Sequence, residues 1–382
     1  METFAPLSPA MLEDPYSVYR KLQSDDPVHW HEQLQAWIVT RHADCMRVLE
    51  DPATFVNDYR VVGDHVPEDI LGLQTLDAPE HGQVRDVLLR AIRQVDLPGW
   101  VAQCRANAGE LLEKLGIANF DFVTEFNDPL TTASMCLFFG VKDLGDKPTY
   151  WAAVRALVLG MDSGLEPSRA QPRTDARIHV SQMLEPWIRQ PSSPGALRLL
   201  ELPADEALRR YVFNSVRMVF FAGIMSPGST LSCVMRALVE RGLLDQDQPL
   251  TIDNKVYNEL VRHSGAVQVD ARACAHDTTI GSQRIRAGDQ VLIVPAAANR
   301  DPAVFSTPED LVLDRSPNPH IGFGRGAHSC VGAQLAMALH VAILQELTAR
   351  YRIRLVGEPV PRPTGTLRGF DQILLAAHPR KP

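Results

Sequence analysis

The sequence predicts a mainly α fold with a minor β region, gathered into one large domain that spans 1–382. Three observations carry that expectation. Apolar residues recur at helical spacing through most of 79–240. One stretch, Ala204 to Arg241, keeps the period for about 35 residues, or ~50 Å of helix, enough to cross a whole domain. Strand-like alternation is confined to two places, approximately 25–60 and 265–300.

In chain order, Ala36-Trp37-Ile38-Val39-Thr40 is β-rich, and Asp44 to Leu49 opens a short helical pattern. Residues 57–75 hold no steady period and contain Gly63, Pro67 and Gly72. They read as a long irregular loop, a kind that inside compact domains usually carries function. After the long helix, 279–295 returns to strand alternation around a turn at Arg286-Ala287-Gly288-Asp289. A proline-rich irregular stretch, 302–329, precedes one more helix from Val331 to about Tyr351. The 28 prolines and 24 glycines are scattered, so no repeat, linker or low-complexity tract divides the chain.

Composition narrows the function. With 45% hydrophobic and 22% charged residues the chain has material for a large core and is not a disordered tail. A net charge of −8 gives no global basic field, so neither nucleic acid nor anionic lipid is an expected partner. The six cysteines, at 45, 104, 136, 233, 274 and 330, form no Cys-x-x-Cys pair. That argues against zinc, thioredoxin-like redox chemistry and a disulfide framework, and for a reducing compartment. Met1 to Pro6 lacks the basic start of a signal peptide. Met218 to Met235 is free of charge but holds Ser226, Pro227, Gly228 and Ser229, and reads as a buried core helix rather than a membrane span. The expectation is a soluble cytoplasmic protein.

The most informative stretch runs from Gly322 to Gly332, a glycine-rich loop presenting Cys330 just before a helix. A helix N-terminus favours a thiolate over a thiol, and such a cysteine serves as a nucleophile or a metal ligand. Gly322-x-Gly324-x-x-Ala327 also comes near the dinucleotide fingerprint. That motif needs a hydrophobic strand before it, whereas Arg315 to His320 precedes it here.

Phe323, Gly326, His328, Cys330 and Gly332 together fill Phe-x-x-Gly-x-His-x-Cys-x-Gly, which resembles the haem-binding loop of the cytochrome P450 monooxygenases. Further segments are similar to the family in the expected order. Glu259-Leu260-Val261-Arg262 resembles the Glu-x-x-Arg element, which in the family closes with an arginine upstream of the haem loop, here Arg315. Taken alone, such a pair is an ordinary surface contact worth under ~1 kcal/mol. His81 and Arg85 resemble the helix that caps the haem propionates, and Arg272 fits a further propionate contact. Ala297 to Pro302 is similar to soluble bacterial members, and the likeness runs from Asp14 to Gly369.

The resemblance implies a cytochrome P450 fold and haem b ligated through iron by Cys330. Propionates would be held by His81, Arg85, Arg272 and His328, with Phe323 against the ring and Glu259, Arg262 and Arg315 as a structural triad. It implies a separate ferredoxin or flavodoxin as electron donor. The reaction implied is insertion of one atom of dioxygen into a hydrophobic small molecule, by hydroxylation or O-dealkylation. Val219, Ala222, Gly223, Val267 and Phe370 are the expected pocket residues, and the small pair Ala222-Gly223 would leave room for oxygen.

The long helix departs from the family at its centre. Met225 stands where an acid normally relays protons, Ser226 falls at the alcohol position, and Pro227 removes a backbone donor and should kink the helix. Ser226 is the expected catalytic hydroxyl, with Ser229 or Thr230 the alternative. Loss of the acid also admits peroxide-driven, coupling or rearrangement chemistry, or a non-catalytic haem- or ligand-binding protein. Ser264-Gly265 is a second departure, placed where prolines are common.

Overall fold

The structure, a computed structural model, describes residues 4–116 and 119–380. The chain opens with α1 (Pro9–Glu13), α2 (Tyr16–Asp25), β1 (Val28–His31), β2 (Ala36–Val39), α3 (His42–Glu50) and β3 (Phe55–Val56). The helical body follows with α4 (Glu80–Gln94), α5 (Leu97–Leu115), the short strand β4 (Asn119–Asp121), α6 (Asp128–Phe139), α7 (Lys147–Leu159), α8 (Ala170–Arg189), α9 (Glu206–Glu240) and α10 (Asn254–Ser264). Next come β5 (Asp270–Cys274), β6 (Thr278–Ile280), β7 (Gln283–Ile285), β8 (Gln290–Ile293) and α11 (Pro295–Ala298). The chain closes with α12 (Ala333–Arg350), β9 (Tyr351–Leu355), β10 (Val360–Pro361), β11 (Phe370–Gln372) and β12 (Leu374–Pro379).

The two β-rich segments join in one five-stranded sheet of order β1-β2-β8-β5-β3. Its centre is a parallel pair, with Ala36 opposite Gln290 and Val39 opposite Ile293, and its other pairings are antiparallel. A second sheet, β4-β12-β9, has no counterpart in the sequence expectation, because its strands are short and two of them follow directly on a helix or a loop.

The long helix is α9, set by an Asp205 side chain that accepts from the Leu208 N–H. Its length and apolar composition would let it cross a bilayer. In this fold it is instead the central core element, packed on α4, α6, α10 and α12 with Leu231, Val234 and Met235 fully buried. Truncating such a leucine typically costs about 2–5 kcal/mol. The helix continues past Pro227 without a break, and Asn127 Nδ2 donates to the neighbouring Gly228 carbonyl at 2.8 Å.

The irregular 57–75 segment contains two single turns, Tyr59–Val62 and Glu68–Ile70, and is pinned to α9. Asn214 Nδ2 donates to the carbonyls of Glu68 and Leu71, at 3.0 and 2.9 Å, and Leu73 N–H donates to Ser215 Oγ at 2.8 Å. Gly72 is required there, since a Cβ would come within 2.7 Å of Ser215 Oγ. Of the two basic residues in this loop, Arg60 is tied to Asp58 and His65 is exposed.

Candidate functional site

The cysteine loop is shaped by local backbone bonds. Gly324 N–H donates to Ile321 O (3.0 Å), and Cys330 N–H donates to Phe323 O (2.8 Å), which folds the cysteine back over its own loop. Gly326 has φ +70, and a Cβ on it would sit 2.4 Å from the Leu49 carbonyl at the end of α3. Only glycine fits both demands. Helix α12 starts at Ala333 with Gly332 at its cap, so Cys330 stands before the first turn. Of the six cysteines, Cys330 alone is exposed; the others are buried or half-buried. Its thiol pKa nevertheless lies above the ordinary value, contrary to the expectation from the helix terminus. Desolvation by the surrounding protein raises it and outweighs the Gly332 N–H and the Arg85 charge, which lower it. Metal ligation deprotonates such a thiol outright. Among the described residues no three His, Cys, Asp or Glu side chains converge as a metal site. A group bringing its own nitrogen ligands needs no more than one sulfur.

Beside Cys330 lies a set of cations and imidazoles. Arg85, on α4, reaches the loop and donates from Nη2 to Ser329 Oγ at 3.2 Å. Burial depresses its pKa, and among the described residues no carboxylate lies within ion-pair distance of it. His81, one turn earlier, is 4% exposed, and its Nε2 is buried with no hydrogen-bond partner. Its ring lies 4.0 Å from that of His328. Desolvation first, then the charges of His328 and Arg85, lower the His81 pKa to about 4. An orphaned imidazole next to an arginine without a carboxylate is an arrangement that awaits an anion, and the two carboxylates of haem fit it.

Two other expected contacts are partly committed elsewhere. His328 Nε2 bonds Asp77 Oδ1 at 2.9 Å, leaving only Nδ1 for a propionate. Burial alone would raise the Asp77 pKa, but hydrogen bonds from His328 and from the N–H groups of Asp58 and Asn57 hold it below the usual carboxylate range. Arg272 is buried on β5 and pairs through Nη1 with Asp270 at 3.0 Å. Its remaining donors are Nε and Nη2. Asp77 escaped sequence reasoning, because one aspartate before Ala78-Pro79 carries no signal of its own.

On α9, Val219, Ala222, Gly223, Ser226 and Thr230 are half-buried and share one helical face, while Phe220, Phe221, Ile224, Gly228 and Ser229 are buried. Ser229 Oγ is taken by Arg362 Nη1 at 3.1 Å. Thr230 lines a small cavity with Val267 and Phe323. Two expectations need correction. The space left by Gly223 is filled by Met135 of α6 rather than left open for oxygen, since a Cβ there would stand 2.3 Å from Met135 Sδ. Phe370 does not belong to this face. It is 1% exposed on β11 and lies under Arg236, at 5.3 Å from ring to guanidinium, along another cleft. Ser264-Gly265 ends α10, where Gly265 caps the helix and lines the same small cavity beside Ala266 and Val267, and Ser264 Oγ meets His263 Nδ1 at 2.7 Å.

Behind the loop, Glu259 and Arg262 on α10 are fully buried and meet Arg315. Glu259 Oε2 accepts from Arg262 Nε at 2.7 Å and from Arg315 Nε at 3.0 Å, while Oε1 accepts from Arg262 Nη2 at 2.8 Å. Val312 N–H (2.9 Å) and Asn318 Nδ2 (3.2 Å) complete the carboxylate's shell. Both guanidinium groups stack on Phe305 and donate onward to backbone carbonyls of 299–310. The cluster therefore staples the irregular segment before the cysteine loop onto α10.

Comparison with known proteins agrees with this architecture. The cytochrome P450 family model matches residues 244–379. A putative cytochrome P450 126 of Mycobacterium tuberculosis is 28% identical over 90% of this chain and 89% of its own length. The linalool 8-monooxygenase of Pseudomonas putida is 26% identical over 88% and 89%, and the vitamin D3 dihydroxylase of Streptomyces griseolus 25% over 97% of each. In fold, the chain superposes on CYP109E1 of Bacillus megaterium, solved with testosterone, with a TM-score of 0.84 over 96% of this chain and 98% of the other at 23% identity. The fold and these relatives define a haem-dependent oxidoreductase. The family model, the relatives and the solved structures together support a cytochrome P450 monooxygenase.

Proposed function

We propose that the protein inserts one atom of dioxygen into a hydrophobic small molecule, by hydroxylation or O-dealkylation, with haem b held by Cys330 and electrons supplied by a separate ferredoxin or flavodoxin. The observation that carries this reading is the pairing of the lone exposed cysteine with Arg85 and the orphaned His81 Nε2. Haem held by the Cys330 sulfur would supply dioxygen cleavage, because a thiolate pushes electron density onto the iron. The residues here would do the rest. Arg85 and His81 would meet the cofactor's carboxylates, joined by the free donors of Arg272 and by His328, whose Nε2 is steadied by Asp77. Phe323 would pack against the ring, and its carbonyl fixes the Cys330 backbone. The α9 face of Val219, Ala222 and Ser226, with Val267 at its edge, offers an apolar wall and one hydroxyl.

Proton supply falls to Ser226. Met225 has no proton to give, and Pro227 brings no N–H to the Gly223 carbonyl, which is free to hold a water near the Ser226 hydroxyl. A second reading, peroxide as the oxygen source, is favoured by the same feature: the α9 face carries no ionisable side chain. Cys330→His tests the ligand. The parent, reduced under carbon monoxide, should absorb near ~450 nm as a thiolate-ligated haem. A Cys330→His protein that kept this band would remove Cys330 from the site. A spin-shift screen with apolar compounds then identifies the substrate class.

A further inference from the structure

Away from the cysteine loop, a cleft of about 190 Å³ opens between the end of α9, the end of α10, the start of α2 and the segment before β11. Four arginines line it: Arg236, Arg241, Arg300 and Arg368. Two have their charge met, Arg236 by Glu240 and Arg300 by Glu309, each at 2.6 Å. Among the described residues, no carboxylate lies within ion-pair distance of Arg241 or Arg368. Arg241 spends its donors on the Ala237 carbonyl (3.1 Å) and on His263 Nε2 (3.1 Å). Arg368 spends its own on the carbonyls of Met11 and Glu13.

The floor of the cleft is built to hold these cations together. His263 is 4% exposed, and its Nε2 faces both Arg241 and Arg300 Nη2, the latter at 3.4 Å. The same ring nitrogen stands 3.1 Å from the Glu309 carbonyl, so a backbone oxygen and two guanidinium groups converge on it. Burial first, then the charges of Arg300, Arg241 and Arg262, hold the His263 pKa down to about 2. Burial and the neighbouring Arg300 likewise depress that of Arg241. Arg300 lies flat over the Tyr16 ring at 3.3 Å, and its Nε is buried without a partner. These are signs of positive potential that Glu240 and Asp310 offset only in part at Arg241. The remaining acids, Glu13 and Asp14, are exposed at the rim. Asp14 is oriented by the Tyr16 N–H at 3.0 Å.

We propose that this cleft is a binding site for a small phosphate-bearing anion, separate from the haem and substrate regions. Two arginines without carboxylates can share one dianion. Guanidinium forks match the geometry of phosphate oxygens, and the contacts to the Ala237 carbonyl and His263 hold Arg241 at the cleft. The two rim carboxylates disfavour large polyanions and leave the floor to a compact one.

The test is calorimetric titration of the haem-loaded protein with inorganic phosphate and, separately, with glycerol 3-phosphate, each against sodium chloride of equal ionic strength. Saturable binding of either, at one site, is expected; the stronger of the two tells a free ion from a monoester. Arg241→Gln and Arg368→Gln should each weaken it about tenfold or more, as loss of a charge-assisted contact requires, and Glu13→Gln should tighten it. The carbon monoxide spectrum should stay unchanged throughout. If Arg368→Gln loosens the N-terminal segment it braces, exposed Arg241 decides the matter, since its side chain holds no other element but α10. Heats no larger than those of chloride, or binding indifferent to Arg241→Gln, would overturn the proposal.

Discussion

Replacing Glu259 by alanine removes the one carboxylate that neutralises two buried guanidinium groups. In the parent its oxygens accept five donor groups, from Arg262, Arg315, Val312 and Asn318, and its side chain has no exposure. After substitution Arg262 keeps three carbonyl partners, of Asn299, Pro308 and Asp310, and Arg315 keeps those of Ser306, Thr307 and Asp310. The hydrogen bonds are partly replaced, but two like charges remain buried with no counter-ion. Breaking a buried pair in this way costs about 3–5 kcal/mol. A typical folded domain has only about 5–15 kcal/mol to lose. Because the cluster holds the segment leading into the cysteine loop, haem retention should fall together with stability. Urea unfolding of the loaded protein, with haem content measured at each step, reads both quantities. A Glu259→Ala protein within ~1 kcal/mol of the parent and fully haem-loaded would show that the backbone carbonyls suffice. The same carboxylate gives a sign in pH. Burial pushes its pKa up, yet the bonds from Arg262, Val312 and Arg315 hold it below the ordinary value. Its contribution is therefore fully present above the unfolded pKa of 4.5 and is lost as pH falls through the lower folded value.

Other outcomes follow from the same geometry. Ser226→Ala should leave the carbon monoxide spectrum intact while product formed per NADPH falls and hydrogen peroxide rises; unchanged coupling would take Ser226 out of the proton route. Gly326→Ala must carry a left-handed backbone that costs about 1–2 kcal/mol and also displace the Leu49 carbonyl. It should purify with little haem, and normal loading would mean the loop docks differently. His263, His320 and His340 are held neutral by burial, with pKa values of about 2, 4 and 3 against an unfolded 6.5. The unfolded chain takes up protons that the folded one refuses, so stability should fall steadily as pH drops from 6.5 towards 3. An acid-unfolding curve flat down to pH 4 would contradict that assignment.

Much of the site was legible because its residues lie close together in sequence or repeat at helical spacing. The run from Phe323 to Gly332 and the one-turn separation of Glu259 and Arg262 announce themselves, and both stand where the spacing puts them. The length of α9 was readable within two residues at its start, since Asp205 and the apolar period mark it. What stayed hidden depends on contacts between distant segments. Asp77 bonding His328, Asn318 on Glu259 and Met135 filling the notch at Gly223 each join pieces of chain that share no pattern. Phe370 was misassigned for the same reason. Its place in chain order said nothing of which side of α9 the strand would meet. Nor does an alternating pattern state its partner, so two separate β-rich segments gave no hint that β2 and β8 run side by side.

The contact between Gly326 and the end of α3 bears on how the protein is made. Leu49 leaves the ribosome early and Gly326 late, with the whole helical body between them. Synthesis proceeds from the N-terminus, and domains settle as units. Until the cysteine loop emerges, the Leu49 carbonyl has no covering and Arg85 on α4 has no Ser329 hydroxyl to meet. If Cys330 holds haem as proposed, loading would be a late event. A nascent chain stalled before the loop should then gather its helices yet fail to keep the cofactor.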